Sequence, residues 1–216
     1  MQAHPVHFHV PFPTRLTRLQ LLVRLVAFVA LGILGISFGT VFLCAFFALP
    51  AFAAVRLGAR SANAYLADDG PRVAHALRWF AAVSAWVGLL TDRLPARSAA
   101  ETVELDLATG GRPTASSAIW RVIAGLPSAL VLAVLGFIGS FVWLWAALTI
   151  LFRERIGRGA FHYLEGLQRW SVRLLAYQAS LVDAYPPFSF EDTHSATSVQ
   201  PTSATTSSTT ATTVHP

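Results

Sequence analysis

Two stretches of this sequence carry no charged side chain for 31 residues each. They are Leu25 to Val55, bounded by Arg24 and Arg56, and Val122 to Phe152, bounded by Arg121 and Arg153. A bilayer-spanning helix needs about 20 apolar residues, and both runs exceed that length. The second run holds 17 residues of Leu, Ile, Val or Phe. Each favours insertion by about 0.3–0.6 kcal/mol near the bilayer centre, a sum that survives deductions for Gly, Pro and position. Both runs are therefore expected in the membrane, and the chain is expected to be an integral membrane protein.

Composition agrees. Charged residues make up 12% and hydrophobic residues 54%, where a soluble domain carries about 25% charge. Every one of the 16 basic residues is Arg. They cluster beside the apolar runs, where Arg reaches lipid head groups, and form no stripe with interleaved aromatics. Nucleic acid is therefore excluded as a partner. The expected partners are membrane lipid and other membrane proteins, with no cofactor. The single cysteine, Cys44, lies inside an apolar run and reads as a small hydrophobe.

Ala51-Phe52-Ala53 imitates a signal-peptide cleavage site. A signal h-region is 7–15 residues, about half the length of this run, and the second run repeats the pattern deep in the chain.

That recurrence is systematic. A shift of 97 residues places Arg24 on Arg121, Gly39 on Gly136 and Arg56 on Arg153. The same shift places Val6, Phe8 and Val10 on Val103, Leu105 and Leu107, two segments with the period-2 alternation of a short strand. After the runs the shift becomes 91, setting Arg78-Trp79 on Arg169-Trp170, Asp92 on Asp183 and Pro95 on Pro186. The expected architecture is an all-α membrane protein of two tandem units, each a short strand, an apolar segment and an amphipathic helix. The units span 1–97 and 98–192. The Ser/Thr-rich remainder, 193–216, is expected to be disordered.

In the second unit, Tyr163, Leu164, Leu167, Trp170, Leu174, Tyr177 and Leu181 recur at three- and four-residue steps, while Glu165, Arg169, Arg173 and Asp183 face away. Such a helix is expected to lie at the head groups or against a partner, contacting them through Arg169, Trp170, Arg173 and Tyr177, with Arg78 and Trp79 as counterparts in the first unit. Packing on its own neighbours is the alternative.

The segments Arg169-Trp170-Ser171-Val172-Arg173, Ala176-Tyr177 and Asp183-Ala184-Tyr185-Pro186-Pro187-Phe188, with Pro127 and 155–161, resemble a bacterial family known as domain of unknown function 4389. The resemblance covers the second unit well. The first keeps Arg78-Trp79, Asp92 and Pro95 but has Ala82, Ala96 and Arg97 where the second has Arg173, Pro187 and Phe188. It implies a bacterial plasma-membrane location, and it assigns no activity and no mechanism.

Gly35-Ile36-Ser37-Phe38-Gly39 matches the nucleophile elbow of esterases, but no strand precedes it and the second unit has Val134 in place of Ser37. His4, His7 and His9 form a cluster that reads as a solvated strand face rather than a metal site. Neither run holds an ionisable residue to mark an ion path.

Two geometries suit each run. A 31-residue helix is about 46 Å long against about 30 Å of hydrocarbon, so it must tilt or protrude. A re-entrant hairpin turning near Gly35–Thr40 and Gly136–Ser140 is the alternative. Single crossings divide the arginines equally between the two compartments, whereas hairpins leave all of them on the cytoplasmic side, as the positive-inside rule prefers. Hairpins are therefore the favoured expectation. The expected function is non-enzymatic, a scaffold, accessory subunit or bilayer-shaping protein, and the alternative is a membrane-bound serine hydrolase using Ser37.

Overall fold

Thr114 opens the longest element of the chain. Its side chain accepts from the Ser117 amide at 3.2 Å, and the Ser117 hydroxyl accepts from the Thr114 amide at 2.9 Å, a reciprocal cap on orphan donors. From that cap, helix α5 runs unbroken from Ala115 to Arg153 in the computed structural model, which describes residues 5–13, 15–34, 37–93 and 103–186. The other elements are β1 (Val6–His9), α1 (Arg18–Ile33), α2 (Phe38–Ala59), the single turn α3 (Ala62–Ala64), α4 (Gly70–Val87), β2 (Glu104–Leu107) and α6 (Arg158–Gln178). A π-helical turn, Tyr65–Asp69, joins α3 to α4. The chain is thus mostly helical, and α2 and α5 are long and apolar enough to cross a membrane. His4, Gly35, Ile36, Ala96, Arg97, Pro187, Phe188 and the Ser/Thr-rich tail lie outside the described residues.

Neither apolar run turns back on itself. The Leu16 amide donates to Glu154 O at 3.1 Å, Phe28 stacks on Trp143, Phe46 lies against Gly125, and Ala53 and Leu57 cluster with Ala118. Rising numbers on one side meet falling numbers on the other, so α1 and α2 run in one direction, antiparallel to α5. This corrects the favoured hairpin geometry, and the reason is local. Between α1 and α2, the Ser37 backbone is extended and its hydroxyl accepts from the Thr40 amide at 3.0 Å, starting a new helix without reversing the chain. Val134 at the corresponding place offers no cap. Gly136, Gly139 and Ser140 stay helical, with the Ser140 hydroxyl donating to Phe137 O at 2.6 Å. A helical glycine costs about 1 kcal/mol, which packing offsets at Gly139, where Leu167 and Tyr163 close on the bare backbone.

β1 and β2 pair antiparallel, with Val6 opposite Leu107 and Phe8 opposite Leu105. Val6, Phe8, Val10 and Leu105 are buried, while His9, Glu104 and Asp106 face outward, as a period-2 pattern requires.

The element beneath this sheet is α6. Tyr163 and Leu167 meet α5 at Gly139, and Gln178 meets it at Gly125. Glu165, Arg169 and Arg173 hold β1. At 100° per residue these two sets lie on opposite sides of the helix. Gln168 reaches sideways, its amide donating to Ala81 O of α4 at 2.8 Å. Three layers result: the long helices α1, α2 and α5, then α4 with α6, then the sheet. The helix expected at the surface is therefore central. It also stops at Gln178 rather than continuing to Asp183. Ser180 takes a left-handed backbone (φ 56), and the Leu181 amide returns to Ala176 O.

Candidate functional site

The outer layer presents the chain's most conspicuous surface. Apart from Phe12 and Val83, every large exposed hydrophobic among the described residues belongs to α1 (with Leu34 at its end), α2 or α5. Only 17% of the most apolar window of α2 and 22% of that of α5 is buried. A core helix of a soluble protein is mostly enclosed; these are mostly bare. Two polar side chains of α5 donate to backbone carbonyls. The Thr149 hydroxyl donates to Trp145 O at 2.8 Å, and the Trp143 indole donates to Val87 O at 2.9 Å.

Charge sits at the two ends of this layer. Arg15 and Arg18 pair with Glu154 at 3.7 and 3.3 Å, with Arg153, Arg155 and Arg158 exposed nearby in sequence. At the other end, Arg60, pairing with Asp68 at 3.3 Å, and Arg112 border one shallow cleft with Leu57 and Thr114. Asp69, buried there, is held by Arg56, whose guanidinium keeps its carboxyl below the usual carboxylate range. A lowered folded-state pKa stabilises above the unfolded value and loses that contribution as pH falls. Thermal stability in detergent should therefore be flat near neutral pH and decline below about pH 4. Asp69→Asn should remove part of that decline. Tyr65 donates to Ala179 O at 2.6 Å, and burial raises its pKa to about 12, so it remains a donor at physiological pH.

The side chains expected to touch lipid or partner lie mostly inside. Arg169 is 8% and Arg173 1% exposed. Arg169 Nε donates to Phe8 O at 3.0 Å, and its Nη2 pairs with Glu165 at 3.1 Å. Glu165 in turn accepts from the Val10 amide at 3.2 Å. Arg173 Nε donates to Val6 O at 3.3 Å. Trp170 is buried, and Tyr177 and Trp79 are half-buried against the core. Arg78 Nε, half-buried, donates to Leu105 O of β2 at 3.3 Å. Glu165, Arg169 and Arg173 of α6 are thus turned to a strand instead of to water or lipid.

Two further constellations were not singled out as sites. Arg24 donates to Thr91 O and to Asp92 at 3.0 Å, with its guanidinium 5.2 Å from the Trp86 ring centre. Arg121 donates to Tyr177 O at 3.0 Å, to Val182 O and to Asp183, with its guanidinium 4.6 Å from the Tyr177 ring centre. The sequence signal was present in the recurrence of Arg24 at Arg121 and of Asp92 at Asp183. What it did not disclose is that these recurring residues bind each other.

Ser37 has a structural task. Its hydroxyl is exposed, caps α2 and shares a 2.8 Å hydrogen bond with Thr40. Helix α1 precedes it, so the strand–turn–helix of an esterase elbow is not formed. Ser37→Ala should cost about 1 kcal/mol through the lost cap and leave any cellular phenotype intact in a complementation assay at matched protein abundance. His7 and His9 lie on β1. Among the described residues, His, Cys, Asp and Glu form no group of three placed to hold a metal.

The segment from the Thr114 cap through α6 to the Arg121–Asp183 pair is also the recognisable part of the chain. Residues 115–189 match the family model Domain of unknown function (DUF4389). The matched stretch begins with α5 and includes the motifs Arg169–Arg173, Ala176-Tyr177 and Asp183–Phe188. No curated protein and no solved structure matches the chain.

Proposed function

We propose that this is an integral protein of the bacterial plasma membrane, built from two duplicated units, with a non-enzymatic scaffolding or bilayer-shaping role. The observation that carries the reading is the bare apolar layer of α1, α2 and α5. A contiguous exposed apolar surface of this extent marks a membrane or protein contact. Its span of about 50 Å along α5, at 1.5 Å per residue, favours lipid as the main occupant, with other membrane proteins as further partners.

Duplication is supported by interactions that recur under the shifts of 97 and 91. Arg24, Trp86, Thr91 and Asp92 correspond to Arg121, Tyr177, Val182 and Asp183, and each set closes around its own arginine. Leu89 (φ 63) corresponds to Ser180 (φ 56), each just past a helix end with the same backbone hydrogen bonds. Phe8 and Leu105, equivalent in sequence, are cross-strand partners. Arg78 and Arg169 each donate to one of these two carbonyls. Independent chance is a poor account of so many matched pairs.

The interior supports rigidity more than chemistry. Its charged groups are engaged with backbone carbonyls and one another, leaving the apolar layer as a stiff plate that displaces lipid. The membrane reading predicts that the protein stays in the pellet through high salt and alkaline carbonate and is released only by detergent. Recovery in the carbonate supernatant would overturn it.

A further inference from the structure

Resting on the membrane reading, the geometry points to a specific interaction surface. We infer that α1, α2 and α5 lie along the plane of one leaflet and do not cross the bilayer, with the sheet held in the aqueous phase on the same side. The lipid partner is the acyl region of a single leaflet, rimmed by its phosphates.

The position of the sheet decides between the two orientations. β1 is held by Arg169 and Arg173, across α6 from the residues that meet α5 at Gly125 and Gly139. The sheet therefore stands over the middle of α5. If α5 crossed the membrane, His9, Glu104 and Asp106, all outward-facing, would sit at mid-depth. Exposed carboxylates at mid-depth are costly, because ionisable groups within hydrocarbon face a protein interior or a water-filled cavity and not lipid.

Length points the same way. The 39 residues of α5 extend about 58 Å at 1.5 Å per residue, roughly twice the hydrocarbon thickness. A layer one helix thick, about 10 Å, fits within a single leaflet of about 15 Å. Laid flat, the α4/α6 layer falls at head-group level and the sheet beyond it in water. The arginines at both ends of the long helices, Arg15, Arg18, Arg153 and Arg155 at one and Arg60 and Arg112 at the other, then share one depth, where each meets phosphate. All the described basic residues also lie on one side, as the positive-inside rule prefers.

The test uses the full chain in bacterial cells with Cys44 replaced by Ala. Single cysteines are introduced as Ser116→Cys and Gly157→Cys, at the two ends of α5, as Asp106→Cys on the sheet, and as Phe137→Cys on the bare face. Ser116, Asp106 and Phe137 are exposed, and a side chain at Gly157 meets only open space. Each variant is probed with an impermeant maleimide in spheroplasts and in inverted membrane vesicles, alongside carbonate extraction.

The inference expects Ser116→Cys, Gly157→Cys and Asp106→Cys to label together from the cytoplasmic side only. Phe137→Cys should label only after detergent is added. Labelling of Ser116→Cys and Gly157→Cys from opposite sides, with the protein resistant to carbonate, would overturn the in-plane arrangement and leave the membrane reading standing. Ready labelling of Phe137→Cys without detergent, with extraction by carbonate, would overturn both.

Discussion

Replacing Arg169 and Arg173 together with methionine should release β1 from α6 and cost about 3–5 kcal/mol, the usual range for breaking a buried charged network from one side. Methionine keeps most of the length and the apolar stem but removes the donors to Phe8 O and Val6 O. It also removes the guanidinium beside Glu165, which is 4% exposed and would be left as a buried acid without that partner. A carbonyl deprived of its donor costs a further 1–3 kcal/mol or so where water cannot reach. The change should appear as a large drop in melting temperature in mild detergent and early proteolysis near β1. Arg78→Met should do less, because Arg78 is half-buried. If the double variant instead melted normally and bound anionic vesicles more weakly, the arginines would belong at the membrane surface after all.

The second large effect concerns the arginine that ties α5 to the end of α6. Arg121→Met should cost about 2–4 kcal/mol, because it strips donors from Tyr177 O and Val182 O and removes a cation from the face of Tyr177. Asp183→Asn should cost no more than about 1 kcal/mol. That carboxylate is 50% exposed, and water screens what it loses. Gly111→Ala should reproduce part of the arginine's loss. Its φ of 102 disfavours any side chain, and a Cβ there would run into the Asp183 carboxylate. The expected order of melting temperatures is wild type, Asp183→Asn, Gly111→Ala, Arg121→Met. Equal losses for Asp183→Asn and Arg121→Met would assign the contribution to the ion pair rather than to the carbonyls.

Local patterns in the sequence proved legible where local chemistry decides the outcome. The alternation in Val6–Val10 and Val103–Leu107 marked both strands, and the charge-free runs marked the long helices. Whether a run breaks into two helices tracks a difference of one side chain. Ser37 caps a new helix and Val134 does not, and neither choice bends the chain back. The Gly136–Ser140 segment carried the signs of a turn, yet Gly139 serves as a seat for Leu167 and Tyr163. The arginine face of α6 misled for a different reason. Periodicity finds a polar face but cannot say what covers it, and the cover here comes from a strand 161 to 167 residues away. Arg24 with Asp92, and Arg121 with Asp183, were visible as recurring residues, but their pairing depends on α4 and α6 running back beside the long helices.

The crossed seating of the strands has a consequence for how the protein is made. β1 belongs to the first of the two proposed units (1–97) but rests on α6 of the second, while β2 belongs to the second (98–192) and is held by Arg78 of α4 in the first. During synthesis β1 has no finished seat until the ribosome has passed Arg173. Until then Val6 and Phe8, with Val10 just beyond the strand, stay exposed, while on the membrane reading the first apolar helices have already met lipid. On the in-plane arrangement proposed above, translation stalled between α5 and α6 should leave a membrane-anchored chain with an unsatisfied strand on its aqueous side. That species would invite chaperone capture, or pairing with the same strand of a neighbouring nascent chain.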